Sequence, residues 1–378
     1  MTKLLVDTIR SFQSRGSLMA QPHKCSVNLM TLEEADRLLK QGIEQYQATQ
    51  FEDALKSWQL ALAVYQELSH RRRQGAAFCN LGAAYQALGD LPKAIEFYQQ
   101  QLKIALAEQD HRSEKLALTN LGNIYYALED WTGAIAYFQK YLTTAQENQE
   151  RQWQGEALSH LRLTYHAAGD NIRALEYRQQ QLAILRELLP EVKNLNFAEI
   201  VHTAGLNPRE DLVGIDLSGV DLSYADLREA NLTNANLTRT DLSFVDFSRA
   251  NLSGACLVDA CLINANLRDA NLHGANLQRA DLRTKLPRAN LSGASLGDAN
   301  LTSAYLPFAN LSNADLRGAC LCQADLHDVN LSGANLVHAD LRQVDLSSVD
   351  VDKTLFGENP GISEVLKAEL LARGAIFE

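Results

Sequence analysis

At 378 residues, with 46% hydrophobic and 21% charged residues, the chain exceeds one typical core and has the make-up of two or three globular domains. No apolar run approaches the roughly 20 residues of a membrane span, and Asp7 and Arg10 interrupt the N-terminus where a signal peptide needs an apolar stretch, so a soluble, unsecreted, cytoplasmic protein is expected. The net charge of −11 is concentrated in residues 210–352, where 19 acids face 10 bases; that disfavours a nucleic-acid partner, because phosphate contacts need clustered lysine and arginine.

Residues 1–29 are expected to form a partly disordered N-terminal extension. From there the chain repeats. "CNLGAAYQALGDLPKAIEFYQ" from Cys79, "TNLGNIYYALEDWTGAIAYFQ" from Thr119 and "SHLRLTYHAAGDNIRALEYRQ" from Ser159 align without gaps at a period of 40, and a weaker copy lies one period earlier. Each copy reads as two helices, with apolar residues such as Phe78, Leu81 and Tyr85 at three- and four-residue spacing before "GD" or "ED" breaks the pattern. One hairpin cannot bury its own apolar face, so stacked hairpins must supply the core over residues 30–195. Gly82 and Ala94 mark close helix approaches, and Tyr85 and Tyr98 are expected to fill the space between neighbouring hairpins.

These residues resemble the tetratricopeptide repeat, in its longer form with "NLG" found in kinesin light chains and Leu-Gly-Asn-repeat adaptors. The resemblance weakens in the last repeat, where Arg162 replaces the packing glycine and His160 the asparagine. It implies an all-α superhelix whose first helices line a groove, with Asn80 and Asn120 bonding the backbone of a bound peptide. Helical spacing adds Ala83, Gln86, Asn123, Tyr126 and His166 to that face, with His160 in the degraded asparagine position. The other reading of the two asparagines is a local one, satisfying nearby backbone. The run Arg71–Arg73, between hairpins, reads as a solvated charge run or a basic docking point.

Residues 196–209 are expected to be a linker and cap helix ending at Gly205. From 210 to 357 the pattern changes to Ala, Asp or Asn, Leu and two mostly polar residues. Leucines five apart would wind around every face of a helix, and the abundant Asn, Asp, Ser and Gly also oppose helix. In a strand, Ala and Leu two apart share a face and the Asp or Asn between them points outward. The step from Leu to the next Ala then requires a corner. Repeated, this winds a coil with Leu and Ala inside.

The pattern resembles the pentapeptide repeat, which implies a right-handed, four-sided parallel β-helix, here of about seven coils. One beat is short: Leu286 follows Leu282 after only four residues. Either "KLPR" is a corner loop, or one side lacks a residue, with Leu286 inward and Thr284 in the small inward place. We take the short side. Residues 358–378 read as a C-terminal cap helix with Ile362, Val365, Leu366 and Leu370 on one face, or as the interface of a homodimer.

The six cysteines form no regular framework and suit a reducing compartment, and the nine histidines lack ligand spacing, so neither cofactor nor metal is expected. No nucleophile elbow, phosphate loop or paired-carboxylate setting argues for an enzyme. The expectation is a non-catalytic adaptor, its groove holding a peptide or helix of a partner protein and its β-helix acting as a spacer or second docking surface. Arg283, Lys285 and Arg288 would be the docking spot. The alternative is an acidic mimic of DNA that modulates a type II topoisomerase.

Overall fold

The computed structural model describes residues 30–191 and 197–378, so the extension expected at 1–29 lies outside the described residues. The chain divides into two compact units, one holding the chain to Glu150 with His160–Leu175, the other Arg151–Ser159 with Glu176–Glu378.

The first unit is built from α1 (Leu32–Gln47), α2 (Phe51–Glu67), α3 (Arg71–Ala87), α4 (Leu91–Ala107), α5 (His111–Ala127) and α6 (Trp131–Glu147). Each link contains one left-handed residue: Thr49, Ser69, Gly89, Gln109 and Glu129, at φ 60, 53, 80, 53 and 60°. The residue after it is the N-cap of the next helix. Asp90, Asp110 and Asp130 accept the backbone N–H of Lys93, Ser113 and Gly133, satisfying donors that a helix start leaves open. The "GD" and "ED" pairs are thus a left-handed helix stop followed by an N-cap.

Glycine and ring then lock each hairpin. A Cβ on Gly42, Gly82 or Gly122 would stand 2.2, 2.7 and 2.4 Å from ring atoms of Trp58, Tyr98 and Phe138. Those rings are at most 2% exposed. Tyr85 stacks on Phe97 of its own hairpin, at 5.3 Å and 6°, and also reaches the preceding hairpin, packing against the cluster that holds Trp58 and Tyr65 and accepting from Gln59 at 3.4 Å. Tyr98 does both jobs, covering Gly82 and packing in one cluster with Leu121 and Ile124 of the next hairpin. Arg71–Arg73 form the first turn of α3 rather than a link, and Arg73 pairs with Asp36 at 2.8 Å.

The last two long helices, α7 (Arg151–Ala167) and α8 (Asn171–Leu188), contribute to both units. In the second unit, the start of α7 meets the segment after α9 (Phe197–Thr203) so closely that a Cβ on Gly155 would lie 2.1 Å from the Thr203 carbonyl oxygen. Gln181 donates to the Gly205 carbonyl at 2.7 Å. Arg178 stands where earlier repeats place Trp58, Tyr98 and Phe138. Its guanidinium donates to the carbonyls of Asp211 and Val213, at 2.9 and 2.8 Å. The apparent decay of the repeat is therefore a change of task, from filling a hairpin to holding the first turns of the β-helix.

Parallel bridges then link each outward residue to the one 20 further on, as in Asp216↔Asn236 and Asp221↔Asp241, giving four sides per coil. The central residues from Leu212 to Val351 are at most 2% exposed. Burying such a side chain contributes about 1.5–3 kcal/mol, an upper figure when the unfolded chain is compact. Outward Asp and Asn also set the corners: Asp216, Asn251 and Asp315 each accept the N–H two residues on, at 3.1–3.2 Å. The residue before each inward Ala is left-handed, as at Asn234 (φ 56°) and Gly254 (φ 66°), which favours Asn and Gly there.

At the short beat the spacing drops to 19 in Asn266↔Lys285 and returns to 20 in Lys285↔Tyr305. Leu286 is 0% and Thr284 5% exposed, so one side is a residue short and "KLPR" is no loop. Thr284 donates its hydroxyl to the Ala265 carbonyl at 2.5 Å. Thr240 and Thr354, in the same inward place, donate to Leu217 and Leu331.

At the far end β1 (Leu355–Phe356) pairs in parallel with β2 (Ile376–Phe377), and α10 (Glu364–Ala372) lies between them in sequence. Arg373 donates to the carbonyls of Leu346 and Val349, and Phe356 stacks on Phe377 at 5.2 Å. The expected apolar face splits. Leu370 is fully buried and Ile362 and Leu366 are half-buried, but Val365 is 81% exposed, because the short helix is anchored at its C-terminal end.

Candidate peptide-binding groove and charged sides of the β-helix

The first unit presents the expected groove residues on three first helices: Asn80, Ala83 and Gln86 on α3, Asn120, Asn123 and Tyr126 on α5, His160 and His166 on α7. Asn80, Ala83, Asn120 and His160 are half-buried, the others exposed. Asn80, Asn120 and Asn123 make no side-chain hydrogen bond among the described residues. Their amides keep both donors and acceptor.

The remaining polar residues are engaged. Gln86 accepts from the Tyr98 hydroxyl at 3.1 Å, and His166 Nδ1 lies 2.9 Å from Asn171 Oδ1. Tyr126 meets the Trp131 ring edge-on at 5.3 Å. His160 stacks flat on Phe138, at 4.5 Å and 7°, so the asparagine position of the last repeat serves packing. Beside Asn80, burial pushes the Cys79 thiol up to about 11, leaving it unreactive at neutral pH.

On the β-helix, the three expected docking cations part company. Arg283 grips Asp281 with two bonds of 2.9 and 2.7 Å, and Arg288 grips Asp269 with two of 2.6 and 2.7 Å. Lys285, exposed between them, makes no side-chain hydrogen bond or ion pair among the described residues. The acid lines are broken by the same device. In Asp226-Leu-Arg228, Asp315-Leu-Arg317 and Asp340-Leu-Arg342 the arginine forks back onto the aspartate, and this holds the three carboxyls below their ordinary range. Cys261 interrupts the stack of Asp221, Asp241 and Asp281. Sequence reasoning missed this pairing, although Asp-Leu-Arg spells it out: flanking a buried leucine, both side chains point outward.

Among the described residues no group of three or more His, Cys, Asp or Glu is placed to hold a metal, and no helix is long and apolar enough to cross a membrane. Five cysteines, Cys79, Cys256, Cys261, Cys320 and Cys322, are free thiols.

Residues 42–107 and 117–152 match tetratricopeptide repeats, and 215–254, 246–283, 285–323, 309–347 and 324–356 match pentapeptide repeats. The chain thus carries tetratricopeptide repeats in its N-terminal part and pentapeptide repeats in its C-terminal part, as helical hairpins followed by a right-handed β-helix. Two of the pentapeptide matches break at Thr284, within the short side.

Among solved structures, HetL, a pentapeptide repeat protein involved in heterocyst differentiation regulation in the cyanobacterium Nostoc, is 27% identical, with 44% of this chain and 90% of HetL covered and a TM-score of 0.16. Kinesin light chain-like repeats of Podospora anserina are 16% identical, covering 47% of this chain and 96% of theirs, at 0.36. Aspartyl phosphate phosphatase F of Bacillus subtilis is 17% identical, covering 47% and 45%, at 0.39. No curated protein matches the chain. Both repeat types fit a protein-interaction repeat protein.

Proposed function

We propose that the chain is a non-catalytic adaptor whose helical groove binds a peptide or helix of a partner protein, with the β-helix as spacer or second docking surface. The observation that carries this is the pair Asn80 and Asn120. Both are half-buried on equivalent turns of α3 and α5, and neither spends its amide inside the protein among the described residues. A half-buried amide without a partner costs stability, which a ligand backbone recovers by donating to and accepting from it. The paired aspartates of the β-helix weigh against a mimic of DNA, which requires free, aligned negative charge.

The test is affinity capture from a lysate of the source organism with the full chain as bait. A specific protein held by the wild type and released by Asn80→Ala with Asn120→Ala supports the adaptor. Capture that is indifferent to both substitutions counts against the groove, and inhibition of a type II topoisomerase by the full chain would restore the alternative.

A further inference from the structure

A cleft of about 750 Å³ opens on one side of the β-helix, walled by Asn207, Pro208 and Arg209. That wall is anchored: the Pro208 carbonyl accepts the N–H of Asn231 at 2.9 Å, and the N–H of Asn207 donates to Asp211 at 2.8 Å. Four arginines line the cleft, Arg209, Arg228, Arg249 and Arg268. Only three carboxylates do, Asp226, Glu229 and Asp269, so the lining carries +1 (four cations less three anions) on a chain of net −11.

The carboxylates are already occupied. Asp226 takes both bonds of Arg228. Glu229 lies between Arg209 at 2.6 Å and Arg249 at 3.6 Å. Asp269 is held at both oxygens by Arg288, outside the cleft, which leaves Arg268 one approach of 3.4 Å. Asp246, in the neighbouring coil, accepts from Ser248 and Asn266. Arg249 and Arg268 therefore keep most of their five donors. They sit on adjacent coils, the N–H of Arg249 donating to the Arg268 carbonyl at 2.9 Å, and both side chains line the same cleft.

We propose that this cleft binds a small molecule carrying two or more oxyanion groups, phosphate or carboxylate, held by Arg249 and Arg268 with Arg209 at the rim. The volume is that of small-molecule sites, about 300–1,000 Å³. The planar fork matches both kinds of oxyanion with paired bonds. Nothing in this depends on the groove.

The test is calorimetric titration of the full chain at low ionic strength, with pyrophosphate in one arm and citrate in the other. Saturable one-to-one binding is expected in at least one arm, and which arm binds tells phosphate from carboxylate. Arg249→Gln with Arg268→Gln is expected to weaken it at least tenfold, and Arg249→Lys with Arg268→Lys by less, since charge stays and the fork is lost. Arg317→Gln with Arg342→Gln, on other sides of the coil, is the control and leaves binding unchanged. All these arginines are exposed, and circular dichroism checks that each variant folds. Absence of saturable binding in both arms, or equal weakening by the control pair, would overturn the proposal.

Discussion

The two repeat regions bury their interiors by opposite means. The hairpins use a few large, individually fitted parts: Trp58, Tyr98 and Phe138, each against its own glycine. The β-helix uses one small set of parts over and over, Leu and Ala inside, with outward Asp and Asn spent on the corners. The difference shows where residues are left over. In the hairpins the packing stripe is narrow, and the polar face holds amides with no internal duty, Asn80, Asn120 and Asn123. On the β-helix many outward polar side chains are part of a corner or a two-bond ion pair, so Arg249 and Arg268, each with a single longer approach to a carboxylate, and Lys285 stand out.

This comparison can be broken in four places. The largest effect belongs to the β-helix interior: Leu232→Asp, Leu252→Asp or Leu311→Asp buries a carboxyl among leucines and should cost more than about 4 kcal/mol. Because the coils are equivalent, the three should lose similar amounts in urea unfolding followed by circular dichroism. A tenfold spread in their unfolding constants would show that the coils are not interchangeable.

Next come the fitted hairpins. Gly122→Ala drives a Cβ into the Phe138 ring and is expected to cost about 1–3 kcal/mol. Phe138→Leu in the same chain should recover part of it, and a melt that shows additive losses would contradict the glycine–ring fit. Smaller still, Thr284→Val removes the hydroxyl bond to Ala265 and should cost about 0.5–1.5 kcal/mol; no loss would mean the bond is idle.

The smallest effect is in pH. Asp315 and Asp340 have folded values lowered mainly by hydrogen bonds from Arg317 and Arg342. Their stabilisation is complete above the unfolded carboxyl value and is lost as pH falls through the lowered folded value. Both pairs are on the surface, so a modest fall in melting temperature on acidification below about pH 4 is expected. Arg317→Gln with Arg342→Gln should flatten that fall, and an unchanged slope would show that the pairs contribute nothing.

Much of this architecture was legible because each pentad encodes its own geometry: Ala and Leu two apart, a turn residue, and a short beat at Leu286 that the next Pro-containing pentad already explained. Asn80 and Asn120 were legible because the period repeats them. Arg178 was not, since its role depends on Asp211 and Val213 returning beside it, 33 and 35 residues on. The cleft was hidden for the same reason. Its wall, Asn207 to Arg209, is tied to the coils through Asn231, which returns beside Pro208 only 23 residues on. Val365 was misread because helical spacing names a face without saying which end of a short helix is fastened.

The most direct measurement uses a peptide selected from a random library on the full chain and compares its affinity for the wild type and for Asn80→Ala with Asn120→Ala. The account expects a loss of at least 100-fold with a melting temperature that does not fall, since the two amides bind ligand and hold nothing else. Equal affinities, or a loss of affinity that merely tracks a loss of stability, would contradict it.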